Sequence, residues 1–169
     1  MGLESLPTPL RRVVLALWGA VFVWLVFFYV PSRFMEWNDE LGWPVWRTGP
    51  TRILGVVLIV AGAGVMLYCT GLFAKVGRGT PVPAAPPERL VIQGPYRYSR
   101  NPIYVADVAV WLGIFLVEGH AALLLYAVVA TLLVELVIVA WEEPDLRGRF
   151  GSEYDAYRER VPRWLPLRL

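Results

Sequence analysis

Four apolar stretches alternate with polar segments along the chain, at residues 13–30, 53–73, 103–117 and 121–141. The second and fourth contain 21 residues each and the first 18, close to the roughly 20 residues that a helix needs to cross about 30 Å of hydrocarbon. The third is shorter, and only Glu118, Gly119 and His120 separate it from the fourth. The pattern predicts an all-α polytopic membrane protein with about four transmembrane helices, of which the last two form a tight antiparallel hairpin.

Lysine and arginine residues are distributed unevenly among the polar segments. Two precede the first apolar stretch, three lie within residues 31–52, five within residues 74–102, and six follow Trp141. If the N-terminus is cytoplasmic, 13 of the 16 basic residues lie on the cytoplasmic side. The positive-inside rule therefore predicts that both termini and the long central loop face the cytoplasm. We expect the membrane to be the cell (inner) membrane.

Two segments outside the apolar stretches have a recognisable pattern. Four prolines interrupt residues 79–90, which predicts an extended spacer and not a regular helix. After residue 141 the chain turns polar, and Phe150, Tyr154, Tyr157 and Val161 recur at the spacing of one helical face. We expect a C-terminal helix that lies in the membrane interface.

Composition supports a membrane protein and excludes several other classes. The chain is 57% hydrophobic and 14% aromatic, with only 18% charged residues. Its formal net charge of +2 and the lack of a basic run argue against a nucleic-acid partner. A single cysteine, Cys69, and a single histidine, His120, leave no plausible zinc or haem cluster. Composition gives no indication of the oligomeric state.

The fourteen residues GPYRYSRNPIYVAD, at positions 94–107, begin the third apolar stretch. Asn101 and Pro102 fit the N-cap and first position of a helix. One interpretation is simply a well-started helix; the other is that its free N–H groups bind a carboxylate or phosphate. Likewise, the tyrosines and arginines of this segment are typical of interfacial anchors.

Acidic residues lie at and inside the fourth apolar stretch. Glu142 and Glu143 follow it directly. One interpretation is a solvated helix end; the other is a cationic partner, because the positive-inside rule favours arginine at this position. Glu135 lies seven residues earlier, two turns away on the face that carries Glu142. Asp107 lies one turn past Tyr104 in the third stretch. Acids inside membrane segments are functional candidates, although burial against a hydroxyl or an arginine is an equal alternative.

Two motifs together resemble a known family. GPYRYSRNPIY and, about forty residues later, EEPDLRGRFGSEYDAYRERVPRWLP are similar to the integral-membrane methyltransferases that include isoprenylcysteine carboxyl methyltransferases and phospholipid N-methyltransferases. The similarity covers about the last 75 residues. It implies one membrane methyltransferase domain over residues 1–169, with N-terminal helices and loop in 1–90 and a cofactor-binding core in 91–169.

The resemblance implies an S-adenosylmethionine site between the two motifs and no metal. Glu142 would bind the amino group of the cofactor, and Arg100, Asn101, Pro102 and Tyr104 would surround its carboxylate and sulfonium. The remaining residues implied along the cofactor are Gln93, Gly94, Tyr96, Tyr98 and Glu143, with Leu146, Phe150, Tyr154 and Tyr157 around the adenine. We assign the catalytic role to Asn101, Tyr104 and Glu142, and Asp107 and Glu135 are candidates on the substrate side.

The sequence departs from the family pattern at two positions. Asn101 replaces the histidine of many members, so no histidine base is present there. In the isoprenylcysteine branch an arginine implicated on the substrate side precedes the glutamate by four residues, and here that residue is Ile138. We expect methyl transfer to a lipid-like or isoprenoid-like acceptor. The alternatives are a phospholipid amine acceptor, and a non-enzymatic four-helix scaffold in which Arg100 and Glu142 pair.

Overall fold

The computed structural model describes residues 8–81 and 85–165, and this part of the chain is helical. The α-helices are α1 Thr8–Trp24, α2 Val30–Glu40, α3 Gly49–Leu72, α4 Pro102–Glu118, α5 Ala121–Val137, α6 Glu143–Phe150 and α7 Ser152–Arg160. One π-helical turn, Leu25–Tyr29, joins α1 to α2, and another, Ile138–Glu142, joins α5 to α6. A third, Phe73–Gly77, extends α3. The predicted all-α class is confirmed.

Three helical segments are long and apolar enough to cross a membrane: Ala16–Glu40, Gly49–Gly77 and Ala121–Phe150. They contain most of the first apolar stretch and all of the second and fourth. The third stretch forms α4, whose 17 residues extend about 26 Å at 1.5 Å per residue. Each predicted apolar stretch is therefore helical, and the chain is an integral membrane protein.

Small residues bring α3 and α4 into close antiparallel contact. Gly55 of α3 faces Gly113 of α4, and a Cβ atom on Gly55 would lie 2.6 Å from the Gly113 carbonyl oxygen. One heptad further, Gly62 faces Ala106 and Val110 with equally little space. Such small-residue contacts allow two backbones to approach within a membrane, where no hydrophobic effect drives helices together. The contact holds the N-terminal end of α4 beside the C-terminal half of α3.

The loop before α3 contacts the short connection between α4 and α5. The Trp46 amide donates to the Gly119 carbonyl oxygen at 2.8 Å, and Arg47 binds the carbonyl and the carboxylate of Glu118. Asn38, fully buried, accepts a hydrogen bond from the first turn of α5 at the Ala122 amide, 3.0 Å away. These contacts close the end of the molecule opposite the candidate site.

The expected C-terminal helix is present but is not continuous. A break at Gly151, with φ of 52°, separates α6 from α7, so Phe150 does not share a continuous helix with Tyr154. Tyr154, Tyr157 and Val161 are buried, and Leu90, Leu146 and Phe150 pack against them. The prediction that Phe150 shares one helical face with the other three residues is therefore wrong, although all four lie in one cluster.

The predicted extended spacer lies partly outside the described residues, which omit 82–84. Residues 85–90 contain no regular helix or strand. The loop folds back on the end of α3, since the Gly77 carbonyl oxygen accepts from the Glu88 amide at 2.8 Å. Arg149 of α6 also donates to the carbonyl of Pro87. The loop thus brings the segment from Val91 onward close to α6 and α7.

Candidate active site

Three chain segments meet at the polar end of the helices: residues 93–104, the junction of α5 and α6, and the tail that follows α7. The Arg100 amide donates to the Pro162 carbonyl oxygen at 2.9 Å, which fixes the first segment against the tail. The Tyr157 hydroxyl of α7 donates to the Tyr96 carbonyl oxygen at 2.7 Å. The two motifs recognised in the sequence are therefore in direct contact.

Glu142 is paired with a tyrosine. The Tyr104 hydroxyl, one turn into α4, donates to Glu142 Oε2 at 2.8 Å. Within residues 8–81 and 85–165, no lysine or arginine forms an ion pair with this glutamate. Tyr96 is buried nearby against Cys69 and Phe73. Burial raises the pKa of Tyr96 well above its ordinary range, and the negative charge of Glu142 acts in the same direction.

Glu143, by contrast, is neutralised by arginines. Arg100 Nη1 lies 2.7 Å from Glu143 Oε1, and Arg163 adds Nε and Nη2 contacts at 2.9 and 3.0 Å. Both partners of the Arg100 pair have only 10% of their side-chain surface exposed. The non-enzymatic alternative predicted that Arg100 pairs with Glu142, and this pairing is wrong: the partner of Arg100 is Glu143.

Glu135 does not share a face with Glu142, contrary to the prediction. It accepts from Arg163 Nη1 at 2.6 Å and from the Trp164 indole at 2.8 Å, and Arg163 also binds Glu143. The cause is the π-helical turn Ile138–Glu142. Two α-helical turns span about seven residues, and a π-turn adds one, so Glu135 aligns with a residue eight positions later. That residue is Glu143.

Asn101 is the residue before α4 and Pro102 is its first residue, as predicted. The Asn101 side chain does not cap the helix. Its amide nitrogen donates instead to the Arg163 carbonyl oxygen at 3.1 Å, and its backbone N–H donates to the Ser99 hydroxyl oxygen. Asn101 therefore joins the start of α4 to the C-terminal tail.

The predicted adenine-wall residues form one cluster. Leu146 and Phe150 are half-buried, while Tyr154 and Tyr157 are 2% and 5% exposed. The Tyr154 and Tyr157 rings contact each other with centroids 6.3 Å apart. Desolvation raises the pKa of both tyrosines. An aromatic wall is thus present beside Glu143, with Leu146 and Phe150 as its accessible part.

Three other predicted residues lie at the edge of this arrangement. Gln93 and Tyr98 are exposed, and Tyr98 keeps 66% of its surface. Gly94 has φ of 59°, and a Cβ atom there would meet the Tyr68 ring at 2.9 Å, so glycine is required. Asp107 lies one turn past Tyr104, and within the described part of the chain it has no hydrogen-bond or ion-pair partner.

Two atoms of this site fit the groups of a zwitterionic, sulfonium-bearing cofactor. The Arg100 Nε–H is buried and unpaired, so it is a donor without an acceptor. Glu142 is an acceptor without a cation. The first fits a carboxylate and the second fits an ammonium group. No group of three or more potential metal ligands occurs in the described ranges.

Sequence reasoning missed Arg163, Trp164 and Ser99. The Ser99 hydroxyl donates to the Arg163 carbonyl oxygen at 3.1 Å. These residues are linked to the site by contacts 62 to 64 positions apart in the chain, which periodicity does not reveal. One signal was present: a basic and an aromatic residue lie just after Pro162, where the chain leaves α7 and must return toward the membrane.

Fold and site together define an integral membrane protein with a carboxylate and tyrosine site at one end of its helices. Residues 50–153, more than half of the chain, match the family model described as phospholipid methyltransferase. The chain belongs to this family, which confirms the resemblance seen in the motifs. No solved structure matches the chain.

The relatives of this chain differ in the methyl acceptor that their names indicate. Methanethiol S-methyltransferase 1 of Bradyrhizobium diazoefficiens is 28% identical over 95% of this chain and 56% of its own length. Protein-S-isoprenylcysteine O-methyltransferase of Schizosaccharomyces pombe is 36% identical over 46% of this chain and 33% of its own length. The chain therefore spans about half, or less, of the length of these relatives. Their names indicate methyltransferase activity but not one common acceptor.

Proposed function

We propose that this protein is a membrane methyltransferase that uses S-adenosylmethionine to methylate a hydrophobic or amphipathic acceptor. Membership of the family supports methyl transfer. The observation that carries the cofactor assignment is the contrast between two adjacent glutamates. Glu143 is hydrogen-bonded by two arginines, with Arg158 4.0 Å away, whereas within the described residues Glu142 has only the Tyr104 hydroxyl as a partner. A carboxylate left without a cation beside buried aromatic rings is suited to an ammonium group.

The residues of the site have separable roles in this proposal. Glu142 binds the amino group of the cofactor, and the unpaired Nε–H of Arg100 binds its carboxylate. Tyr96 and Tyr104 provide aromatic rings next to the sulfonium, where a cation–π interaction is favourable. Leu146 and Phe150 cover the adenine. When bound, the cofactor supplies an electrophilic methyl group, and the protein aligns the acceptor and excludes water.

The acceptor we favour carries sulfur or nitrogen and not a carboxylate. Ile138, at the position where the isoprenylcysteine branch has an arginine, is completely buried, so it offers no cation to an acceptor carboxylate. A small thiol is the specific candidate, because the match to a methanethiol S-methyltransferase extends over 95% of this chain. A phospholipid amine is the second candidate, and it agrees with the description of the family.

A protonated thiol or amine must lose its proton on methylation. Glu135 is engaged by Arg163 and Trp164, so it is not free to accept this proton. Asp107 has no partner within residues 8–81 and 85–165 and lies one turn from Tyr104. Asp107 is therefore the candidate proton acceptor, conditional on a protonated substrate.

We further propose that α4 crosses the membrane as a fourth helix and forms a hairpin with α5. Only Gly119 and His120 separate the two helices, and their Trp111 and Tyr126 rings are in contact. The loop with three basic residues contacts this turn, while the loops richer in arginine lie at the other end with the site. This arrangement supports cytoplasmic termini and a cytoplasmic cofactor site in the inner membrane.

Cofactor binding can be measured directly by calorimetry on protein purified in detergent. We expect S-adenosylmethionine to bind the wild-type protein and to bind Glu142→Gln at least about tenfold more weakly, since one charged contact is lost. Glu153→Gln is the matched control, because Glu153 is an exposed acid on α7 and the charge change is the same. A wild-type protein that binds no cofactor would contradict the proposal.

The acceptor can be identified by transfer of a radiolabelled methyl group. Methanethiol and longer alkyl thiols, phosphatidylethanolamine, and a prenylated cysteine with a free carboxylate should be tested in parallel. We expect label in the thiols. Label confined to the lipid would favour the amine acceptor, and label confined to the prenylcysteine would contradict the argument from Ile138.

A further inference from the structure

The short tail after α7, residues 161–165, contacts both halves of the candidate site. The Pro162 carbonyl oxygen accepts from the Arg100 amide. The Arg163 carbonyl oxygen accepts from the Ser99 hydroxyl and from the Asn101 side chain, both at 3.1 Å. The backbone of the tail thus holds the residues that immediately precede α4.

The Arg163 side chain extends in the other direction, toward α5 and α6. Its Nη1 donates to Glu135 at 2.6 Å, and its Nε and Nη2 donate to the two oxygens of Glu143 at 2.9 and 3.0 Å. All three guanidinium nitrogens are used, in a fork geometry that lysine does not reproduce. Hydrogen bonds to Glu143 raise the pKa of Arg163, so the guanidinium remains charged.

Three guanidinium groups lie around the two carboxylates that Arg163 joins. Arg163 contacts Glu135 and Glu143, Arg100 contacts Glu143, and Arg158 lies 4.0 Å from Glu143. Glu142 lacks an arginine partner in the described ranges. Without Arg163, Glu143 would keep only Arg100 and the more distant Arg158 among the described residues, and Arg100 would be drawn further toward the α5–α6 junction.

We propose that Arg163 is a positioning residue for the cofactor site. Its backbone fixes Asn101 at the start of α4, and its guanidinium neutralises Glu135 and Glu143, so that Glu142 and the Arg100 Nε–H stay available to the ligand. Arg163 itself does not touch the ligand. This role rests on the proposed function, and the family resemblance did not point to it.

Three variants test this role by calorimetric titration with S-adenosylmethionine. Arg163→Gln should weaken binding at least about tenfold, because it leaves a buried carboxylate without one of its charged partners. Arg163→Lys should fall between this variant and the wild type, since one ammonium replaces a three-donor fork. Arg160→Gln is the matched control, because Arg160 is exposed on α7 and, among the described residues, binds the Ala156 carbonyl alone. We expect wild-type affinity for it.

Two further measurements separate positioning from general stability. Gel filtration and thermal unfolding should show that the variants are folded. In the methyl-transfer assay, KM for the cofactor should rise while KM for the acceptor stays within about twofold, which a loss of folded protein would not produce. If Arg163→Gln does not fold, Arg163→Lys alone decides: affinity equal to wild type overturns the role.

The outcomes distinguish this role from the proposed function itself. A wild-type protein that binds the cofactor, with Arg163→Gln and Arg160→Gln binding equally well, overturns only the role of Arg163. A wild-type protein that does not bind the cofactor overturns the proposed function, and the role of Arg163 with it. A graded loss of affinity from Arg160→Gln through Arg163→Lys to Arg163→Gln supports both.

Discussion

Glu142 and Glu143 are adjacent in the chain but have separate partners: the first accepts from Tyr104 and the second lies between Arg100 and Arg163. They sit where the π-turn Ile138–Glu142 passes into α6. Glu143 is therefore a structural carboxylate held in ion pairs, whereas the carboxylate of Glu142 is available to a ligand. This difference is the basis of our proposal that Glu142, and not Glu143, binds the amino group of the ligand.

The hydroxyl of Tyr104 orients the available carboxylate. Replacing Tyr104 with phenylalanine removes the 2.8 Å hydrogen bond and leaves the ring in place. We expect binding of S-adenosylmethionine to weaken by about 1.4 kcal/mol, or tenfold, because a hydrogen bond to a charged group is lost. Calorimetry measures this change, with Tyr29→Phe, on an exposed ring of the π-turn Leu25–Tyr29, as control. Equal affinity of the two variants would show that Tyr104 does not orient Glu142.

Much of the fold follows from the length of the apolar stretches and from the prolines and glycines at which helices begin and end. Each apolar stretch forms a helix, Asn101 and Pro102 begin α4, and Gly119 ends it with φ of 75°. The break at Gly151 was missed, because the apolar positions on either side continue the helical period. The periodicity of apolar residues does not reveal a break in the helix at a glycine with positive φ.

The sequence predicted many of the residues that meet at this end of the protein, but not which of them pair with each other. Tyr104 and Glu142 were both named, yet the scaffold alternative paired Arg100 with the wrong glutamate, and Glu135 was assigned to the wrong face. A π-turn such as Ile138–Glu142 has no clear sequence signature. Its one extra residue changes which of the residues that follow lie on the same face as a residue of α5. Arg163 was missed since its partners are distant in sequence.

The π-turn itself can be tested by removing one residue. Deleting Ala140, which is exposed within the turn, should convert the π-turn to an α-helical turn and leave Glu143 aligned with Glu135, because the two residues are then seven positions apart. We therefore expect cofactor binding within about threefold of the wild type, and helical content measured by circular dichroism close to that of the wild type. Ala140→Val keeps the length and is the control. Loss of binding by a folded deletion variant would contradict this account of the register.

Alkaline pH should destabilise the protein through two buried tyrosines. Burial raises the pKa of Tyr157 and of Tyr96 above the usual value of about 10. The folded state therefore favours the neutral hydroxyls, and this contribution is complete below about pH 10 and lost as the pH rises above it. The free energy of unfolding, measured against pH, should decline above pH 10 by about 1.4 kcal/mol per pH unit for each tyrosine.

Replacing Tyr157 with phenylalanine should remove its share of this alkaline decline. The variant also loses the 2.7 Å hydrogen bond to the Tyr96 carbonyl oxygen, so we expect it to be less stable by about 1 kcal/mol at neutral pH. Tyr98→Phe should leave both quantities unchanged. A decline of the same slope in Tyr157→Phe as in the wild type would exclude Tyr157 as its source.

The close approach of α3 and α4 sets the position of the whole site, because α4 carries Tyr104. A Cβ atom on Gly62 would lie 2.7 Å from Val110 Cγ2 and 2.8 Å from the Ala106 carbonyl oxygen. Gly62→Ala should therefore separate the helices and lower the unfolding free energy by about 1–3 kcal/mol. Gly64→Ala, on the same helix with open space around it, should be neutral or slightly stabilising. Thermal unfolding in one detergent compares them, and equal melting temperatures would mean that this contact does not hold α4 in place.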